Sequence, residues 1–167
     1  MEDFTELFVE LKALLMSNNQ IVGHFDILRT YGITYSPESK AYMMVMTLAD
    51  DGDLSEYLQK HFSILTYIKQ IEILYNITIG LTQIHKSGLI HYDLHCCNVI
   101  CLGIKDRSQG HGEEYQFVIG DLGHATLLIK DNDDNKVFSI LPCIAPEILG
   151  KKQYIQAANV YSFGIHI

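Results

Sequence analysis

Residues 91–100 read HYDLHCCNVI: two histidines, an aspartate, two adjacent cysteines and an asparagine inside a mostly apolar frame. Three readings compete. The stretch is a His/Cys metal cluster, a catalytic loop in which only Asp93 and Asn98 matter, or a relic with nothing left to catalyse. Zinc sites usually pair C-x(2–4)-C with a second, distant pair. Cys97 and Cys101 meet the first half loosely, and no equally good second pair exists among Cys96, Cys97, Cys101 and Cys143. The cysteines therefore read as small, partly buried hydrophobes. An aspartate in a loop, taken alone, is more often a turn-former or cap than a catalyst.

The surroundings narrow the choice. Upstream, Thr66 to Lys86 reads as one long helix, with Ile68, Ile71, Leu74, Tyr75, Thr78, Leu81 and Ile84 on a common face and Gly88 in the stop position. Before it, FDILRTYGITY and KAYMMVMTL are β-rich and joined by SPES, a hairpin-like turn. DDGDLSEYLQK opens a short helix, and Phe4, Leu7, Phe8, Leu11, Leu14 and Leu15 follow helical spacing near the N-terminus. Downstream, GIKDRSQGHGEEY reads as a polar loop, QFVIGDLG as a strand running into a turn, and KDNDDNK as an acidic solvated segment. APEILG reads as a short helix with Pro at its start, and AANVYSFGIHI as the beginning of another apolar helix.

The chain has 167 residues, 48% of them hydrophobic and 19% charged, which suits one globular domain. Its net charge is −8, and Arg29 and Arg107 are its two arginines. An acidic chain without a basic footprint is repelled by nucleic acid and by anionic membranes. MEDFTELF is acidic and amphipathic rather than a secretory signal. The longest uncharged run falls short of the roughly 20 apolar residues that a membrane span needs. A soluble protein of a reducing compartment, cytoplasm or nucleus, is the expectation.

The order of these features resembles the eukaryotic protein kinase domain. HYDLHCCN resembles the kinase catalytic loop H-R-D-L-x-x-x-N, DLG at 121–123 resembles D-F-G, APE at 145–147 matches A-P-E, and YSFG at 161–164 resembles the start of the central helix. Each motif is weak alone; four in order, with compatible elements between them, are specific. The resemblance covers essentially the whole chain but only the middle of such a domain. It implies an α+β fold: a remnant of a small β lobe with the hinge over residues 1–48, then the front half of a mainly helical large lobe over 49–167.

The implied activity is ATP-dependent phosphoryl transfer to a protein hydroxyl, with Ser/Thr against Tyr left open. Such transfer needs positioning and charge neutralisation more than covalent help. By resemblance Asp93 is the general base, and Asn98 with Asp121 supplies oxygen ligands to Mg²⁺. His95 stands where many kinases place a phosphate-contacting Lys, and His91 reads as a packed core residue. Met46 falls at the gatekeeper, Thr47 and Ala49 at the hinge that meets adenine, Ile100 on the nucleotide side, and Glu10 at the helix-C glutamate. The implied partner is a protein substrate.

Departures from the family pattern keep a second reading open: a pseudokinase or truncated kinase that binds a partner, such as another kinase. No G-x-G-x-x-G and no V-A-I-K occur in the sequence, and Lys12 lies two residues from Glu10 on one helix, so the two cannot face each other. Tyr92 replaces the Arg of H-R-D, which usually receives an activation-loop phosphate. Ile140 stands where Ser/Thr kinases tend to carry Thr. Asn159 replaces an Asp that accepts N–H bonds from the catalytic loop. Glu147 usually pairs with an Arg found further along, so a buried, unpartnered carboxylate is expected. The apolar run at GIHI breaks off inside a helix, which fits a fragment of a kinase domain.

Overall fold

Gly32 and Lys40 shape the first described feature, an antiparallel hairpin of β1 (Thr30–Ser36) and β2 (Ala41–Met46). Gly32, at φ 151°, takes up a register shift in β1 that a side chain would resist. The reversal at residues 37–40 is closed by the Ser39 N–H donating to Ser36 Oγ at 3.3 Å. This computed structural model describes residues 26–104, 114–122, 125–127, 139–150 and 153–165. The expected N-terminal helix, Glu10 and Lys12 lie outside the described residues, as do Gly123 and most of the two polar loops.

Beyond the hairpin come α1 (Leu54–His61), a 3-10 turn at Phe62–Ile64, and α2 (Tyr67–Lys86). Both helices start on side-chain caps: Asp53 accepts from the Glu56 N–H at 2.9 Å, and Thr66 from the Lys69 N–H at 3.2 Å. Gly88, at φ 72°, stops α2 as its position suggests. Then follow β3 (Leu89–Ile90), a 3-10 turn at Cys96–Asn98, β4 (Val99–Ile104), β5 (Glu114–Ile119) and β6 (Thr126–Leu127). A 3-10 turn at Leu141–Cys143, α3 (Pro146–Leu149) and α4 (Gln156–Gly164) complete the described chain. Three two-stranded antiparallel sheets result: β1–β2, β3–β6 and β4–β5.

The main core gathers Leu54 and Tyr57 of α1, Ile73, Ile77, Leu81 and Ile84 of α2, and Val99, Cys101, Phe117 and Ile119 of β4 and β5. The buried line of α2 is thus 73–77–80–81–84, which keeps Leu81 and Ile84 of the face read from the sequence but not its first half. Ile68 is 79% exposed, and Ile71 and Tyr75 are also exposed. The helix is apolar nearly all round, so period alone offers two faces. What selects one is Gly80: a Cβ there would sit 2.5 Å from the Asp26 carbonyl oxygen and 3.2 Å from Ile119. The helix backbone meets residue 26 directly.

Among the described residues the hairpin's backbone is bonded to the rest of the chain at its base, and Met44 of β2 packs against the main core. Ile27 bridges Ile119; Leu28 N–H donates to the Ile119 carbonyl at 2.8 Å, and Thr47 N–H to Arg29 at 2.9 Å. Tyr35 and Tyr42 pair across the strands with ring centroids 5.1 Å apart. Yet Met43, Val45 and most of its other apolar side chains remain exposed, unlike the buried strand that YMMVMTL suggests. No helix among the described residues is long and apolar enough to cross a membrane.

The close approach at Gly80 has a measurable sign. Alanine would gain about 1 kcal/mol of helix propensity, but overpacking against backbone costs about 1–3 kcal/mol. Gly80→Ala is expected to lower the urea midpoint; a raised midpoint would show that no such contact exists.

Candidate active site

Three bonds assemble the loop that follows β3. His91 is fully buried, and its Nε2 lies 2.9 Å from the Gly120 carbonyl, which can only accept. The ring therefore donates from Nε2, and Nδ1 is left to accept the Asp93 N–H at 3.3 Å. Burial pushes the His91 pKa down, which agrees with a neutral ring. Gly120 N–H in turn donates to the Asn98 carbonyl at 2.8 Å. The end of β5 is thereby pinned to the start of β4, one residue before Asp121.

Asn98 is buried and turns its amide nitrogen inward. Nδ2 donates to the Asp93 carbonyl at 2.8 Å and lies 3.4 Å from Asp93 Oδ2. It also lies 3.2 Å from His95 Nε2. His95 Nε2 stands 3.4 Å from Asp93 Oδ1, yet that oxygen is buried without a hydrogen-bond partner among the described residues. A neutral His95 with its proton on Nδ1 accepts from the Asn98 amide; a charged ring faces the carboxylate. Among the described residues His95 Nδ1 is also buried without a partner.

Backbone strain collects here. Three non-glycine residues among those described have positive φ: Lys40 in the hairpin turn, Tyr92 at 68° and Asp121 at 50°. Each such residue costs on the order of 1–3 kcal/mol and persists only where its surroundings hold it. Two of the three flank the Asp93–Asn98 loop.

Behind the loop, Asn159 of α4 is fully buried. Its Oδ1 accepts the His91 N–H at 2.9 Å and lies 3.3 Å from His85 Nε2. The amide thus keeps the acceptor role expected of an Asp, while its Nδ2 has no partner among the described residues. Burial lowers the His85 pKa, partly offset by that bond.

The other expected residues fall as follows. Ile100 on β4 packs against Gly120, where a Cβ would meet Ile100 Cγ1 at 2.9 Å and Leu28 Cδ2 at 3.6 Å. The stretch after β2 is tied to Ile100 by the Asp53–Ile100 bridge and by Cys101 N–H donating to Gly52 at 2.9 Å. Met46 pairs with Thr30; Thr47 Oγ1 lies 3.3 Å from the Tyr31 hydroxyl; Ala49 is half-buried between them and residue 50. The structure thus brings Asp93, His95 and Asn98 together, while Asp121 is exposed and follows Gly120, against which Ile100 packs. Met46, Thr47 and Ala49 connect to that group through backbone rather than by contact among the described atoms.

Two readings of the sequence change. Glu147 is half-exposed rather than buried, so the penalty for an unpartnered buried carboxylate does not arise. The cysteines scatter: Cys101 and Cys143 are buried, Cys96 half-buried and Cys97 exposed. Burial, then Asp51, pushes Cys101 up to about 11. Among the described residues no three His, Cys, Asp or Glu side chains converge on a metal-sized space. Tyr154 was not singled out from sequence, yet its hydroxyl donates to the Tyr92 carbonyl at 3.0 Å. Gly120 was likewise passed over, although its place before an Asp-x-Gly turn was a signal.

The sequence matches the protein kinase domain family over residues 2–167. It is 29% identical over 161 residues to the probable serine/threonine-protein kinase zyg-1 of Caenorhabditis briggsae, covering 96% of this chain and 20% of that protein. It is 22% identical over 147 residues to a probable serine/threonine-protein kinase of Dictyostelium discoideum, covering 87% of this chain and 15% of that protein. The chain therefore spans a fifth or less of the length of these curated relatives.

The buried His91 and the half-buried His85 give a pH dependence. An unfolded histidine titrates near 6.5, and folding depresses both His91 and His85. Their contribution is present above about pH 6.5 and is lost as pH falls from there through their lowered values, because the unfolded chain binds the protons first. The urea midpoint is expected to fall between pH 7.5 and 5.5, and less steeply in His85→Gln. A profile as steep in that variant would remove His85 from the account.

Proposed function

The chain belongs to the protein kinase domain family, and on that premise we propose that it transfers the terminal phosphoryl group of ATP to a protein hydroxyl, with Asp93 as general base. The observation that carries this reading is Asp93 Oδ1, a buried acceptor with no hydrogen-bond partner among the described residues. A buried acceptor left open is costly unless a donor arrives. With His95 neutral and accepting from Asn98, an attacking hydroxyl is such a donor, and its proton would pass to Oδ1 as the new O–P bond forms and the bond to the departing diphosphate breaks.

The remaining roles follow from the same geometry. Asn98 commits Nδ2 to Asp93 and His95, which leaves Oδ1 as its ligand atom. Asp121 would add a carboxylate, since Gly120 before it is bonded to the Asn98 carbonyl. Two oxygen ligands suit Mg²⁺, which keeps waters and takes the rest of its shell from phosphates rather than from a closed protein cage. When bound, Mg²⁺ would neutralise phosphate charge. His95 would offer one hydrogen bond to the moving phosphoryl group. Backbone groups of Thr47 to Ala49 would meet the adenine edge, with Met46 behind it and Ile100 beneath.

Residues 1–48 are proposed as the small-lobe remnant with the hinge, and 49–167 as the front of the large lobe. Ser or Thr is the proposed acceptor, on the names of the two relatives. Free cysteines fit a reducing cytoplasm or nucleus. The second reading is a non-catalytic module that engages a protein substrate or a partner kinase, and the replacements Tyr92 and Asn159 are the departures within the sequence that keep it in view.

The test is Mg²⁺-dependent transfer from labelled ATP by the 167-residue chain, to itself and to casein, followed by phosphoamino-acid analysis. Asp93→Asn is expected to lower kcat about 10²–10⁴-fold, with label on Ser or Thr. No turnover, together with no thermal shift on adding ATP and Mg²⁺, would overturn the catalytic reading in favour of the binding module.

A further inference from the structure

The peptide group joining Tyr92 to Asp93 is hydrogen-bonded at both ends. Its N–H donates to His91 Nδ1 at 3.3 Å, and its carbonyl accepts the Tyr154 hydroxyl at 3.0 Å. The Tyr92 ring lies on the Tyr154 ring, centroids 4.3 Å apart and planes 26° from parallel. Tyr154 comes from the stretch between α3 and α4 and is 9% exposed. It packs in a second core with Ile90, Ile144, Ala145, Ile148 and Ala158.

Tyr92 needs such a hold. Its φ of 68° is a conformation that a bulky side chain leaves unless its surroundings prevent it. Relaxing φ at Tyr92 would swing the peptide that follows, and with it the Cα–Cβ bond of Asp93. Tyr154 opposes the swing twice, by the ring contact and by the hydroxyl. Burial keeps the hydroxyl a donor, since its pKa is pushed up to about 12.

We propose that Tyr154 is a positioning residue: from outside the loop it clamps the Tyr92–Asp93 peptide and so aims the Asp93 carboxylate at the reacting hydroxyl. Tyr154 does not itself touch the substrate. The clamp rests on the reading of Asp93 as the base. It also makes Tyr92, an uncharged residue, the means by which the segment after α3 sets the loop.

Tyr154→Phe removes the hydroxyl and keeps the ring; Tyr154→Leu removes both. In the 167-residue chain, Tyr154→Phe is expected to lower kcat about tenfold, since small misplacements near the reacting atoms are costly. KM for ATP should stay within twofold, because Tyr154 does not adjoin the nucleotide. Tyr154→Leu should lose more of kcat, again at steady KM. Hydrogen exchange reads the clamp without turnover: the Asp93 amide should exchange faster in Tyr154→Phe while the Ile77 amide, in the main core, keeps its rate. Should the parent prove inactive, the catalytic reading fails, yet faster exchange at Asp93 still supports the clamp. Unchanged exchange at Asp93, or a kcat within twofold of an active parent, overturns it. So does equal acceleration at Asp93 and Ile77, which would mark a merely structural tyrosine.

Discussion

His91 makes two bonds that require the same tautomer, and the site is built around that requirement. Its Nε2 proton goes to the Gly120 carbonyl, and its Nδ1 lone pair receives the Asp93 N–H. Protonating the ring would place a second N–H against an N–H, in a fully buried space. The ring is therefore a spacer of fixed polarity between the loop after β3 and the end of β5. Asn159 adds a third anchor through the His91 N–H, and Gly120 a fourth through the Asn98 carbonyl. Every oxygen assigned a role in the proposed chemistry lies within two residues of one of these bonds.

The hold explains how strain survives where it does. Tyr92 and Asp121 both sit in left-handed backbone, and both adjoin residues whose amides or carbonyls are tied to a buried partner. Neutral groups supply most of the ties. With an amide at 159 in place of a carboxylate, the bonds to His91 and His85 lack charge assistance. In exchange, no full charge is buried behind the loop.

Much of this was legible in the sequence because the chemistry demands fixed local spacing. Asp93 and Asn98 are five residues apart on one loop, and Asp121 precedes a turn, so their kinship shows in one dimension. The start of each helix and the stop at Gly88 were legible for the same reason, since Asp53, Thr66 and Gly88 act on neighbours within a few residues. The packed face of α2 was not, over its first half. Its residues are apolar on both sides, and only the approach of a distant backbone to Gly80 decides between them. Tyr154 was invisible because its partner lies 62 residues away. Glu147 was misjudged because its burial depends on what packs near α3, which no local pattern records.

Gly80 has a mechanical consequence. Where two backbones touch without a side chain between them, there is no rotamer to yield and no lubricating layer. The α2 helix and residue 26 are then held at one separation, with Ile119 filling the space beside the contact. The hairpin begins just beyond, bonded at its base to the end of β5, and Met44 packs against the main core. The glycine thus fixes where the hairpin starts and, through the Thr47–Arg29 bond, where the segment proposed to meet adenine begins.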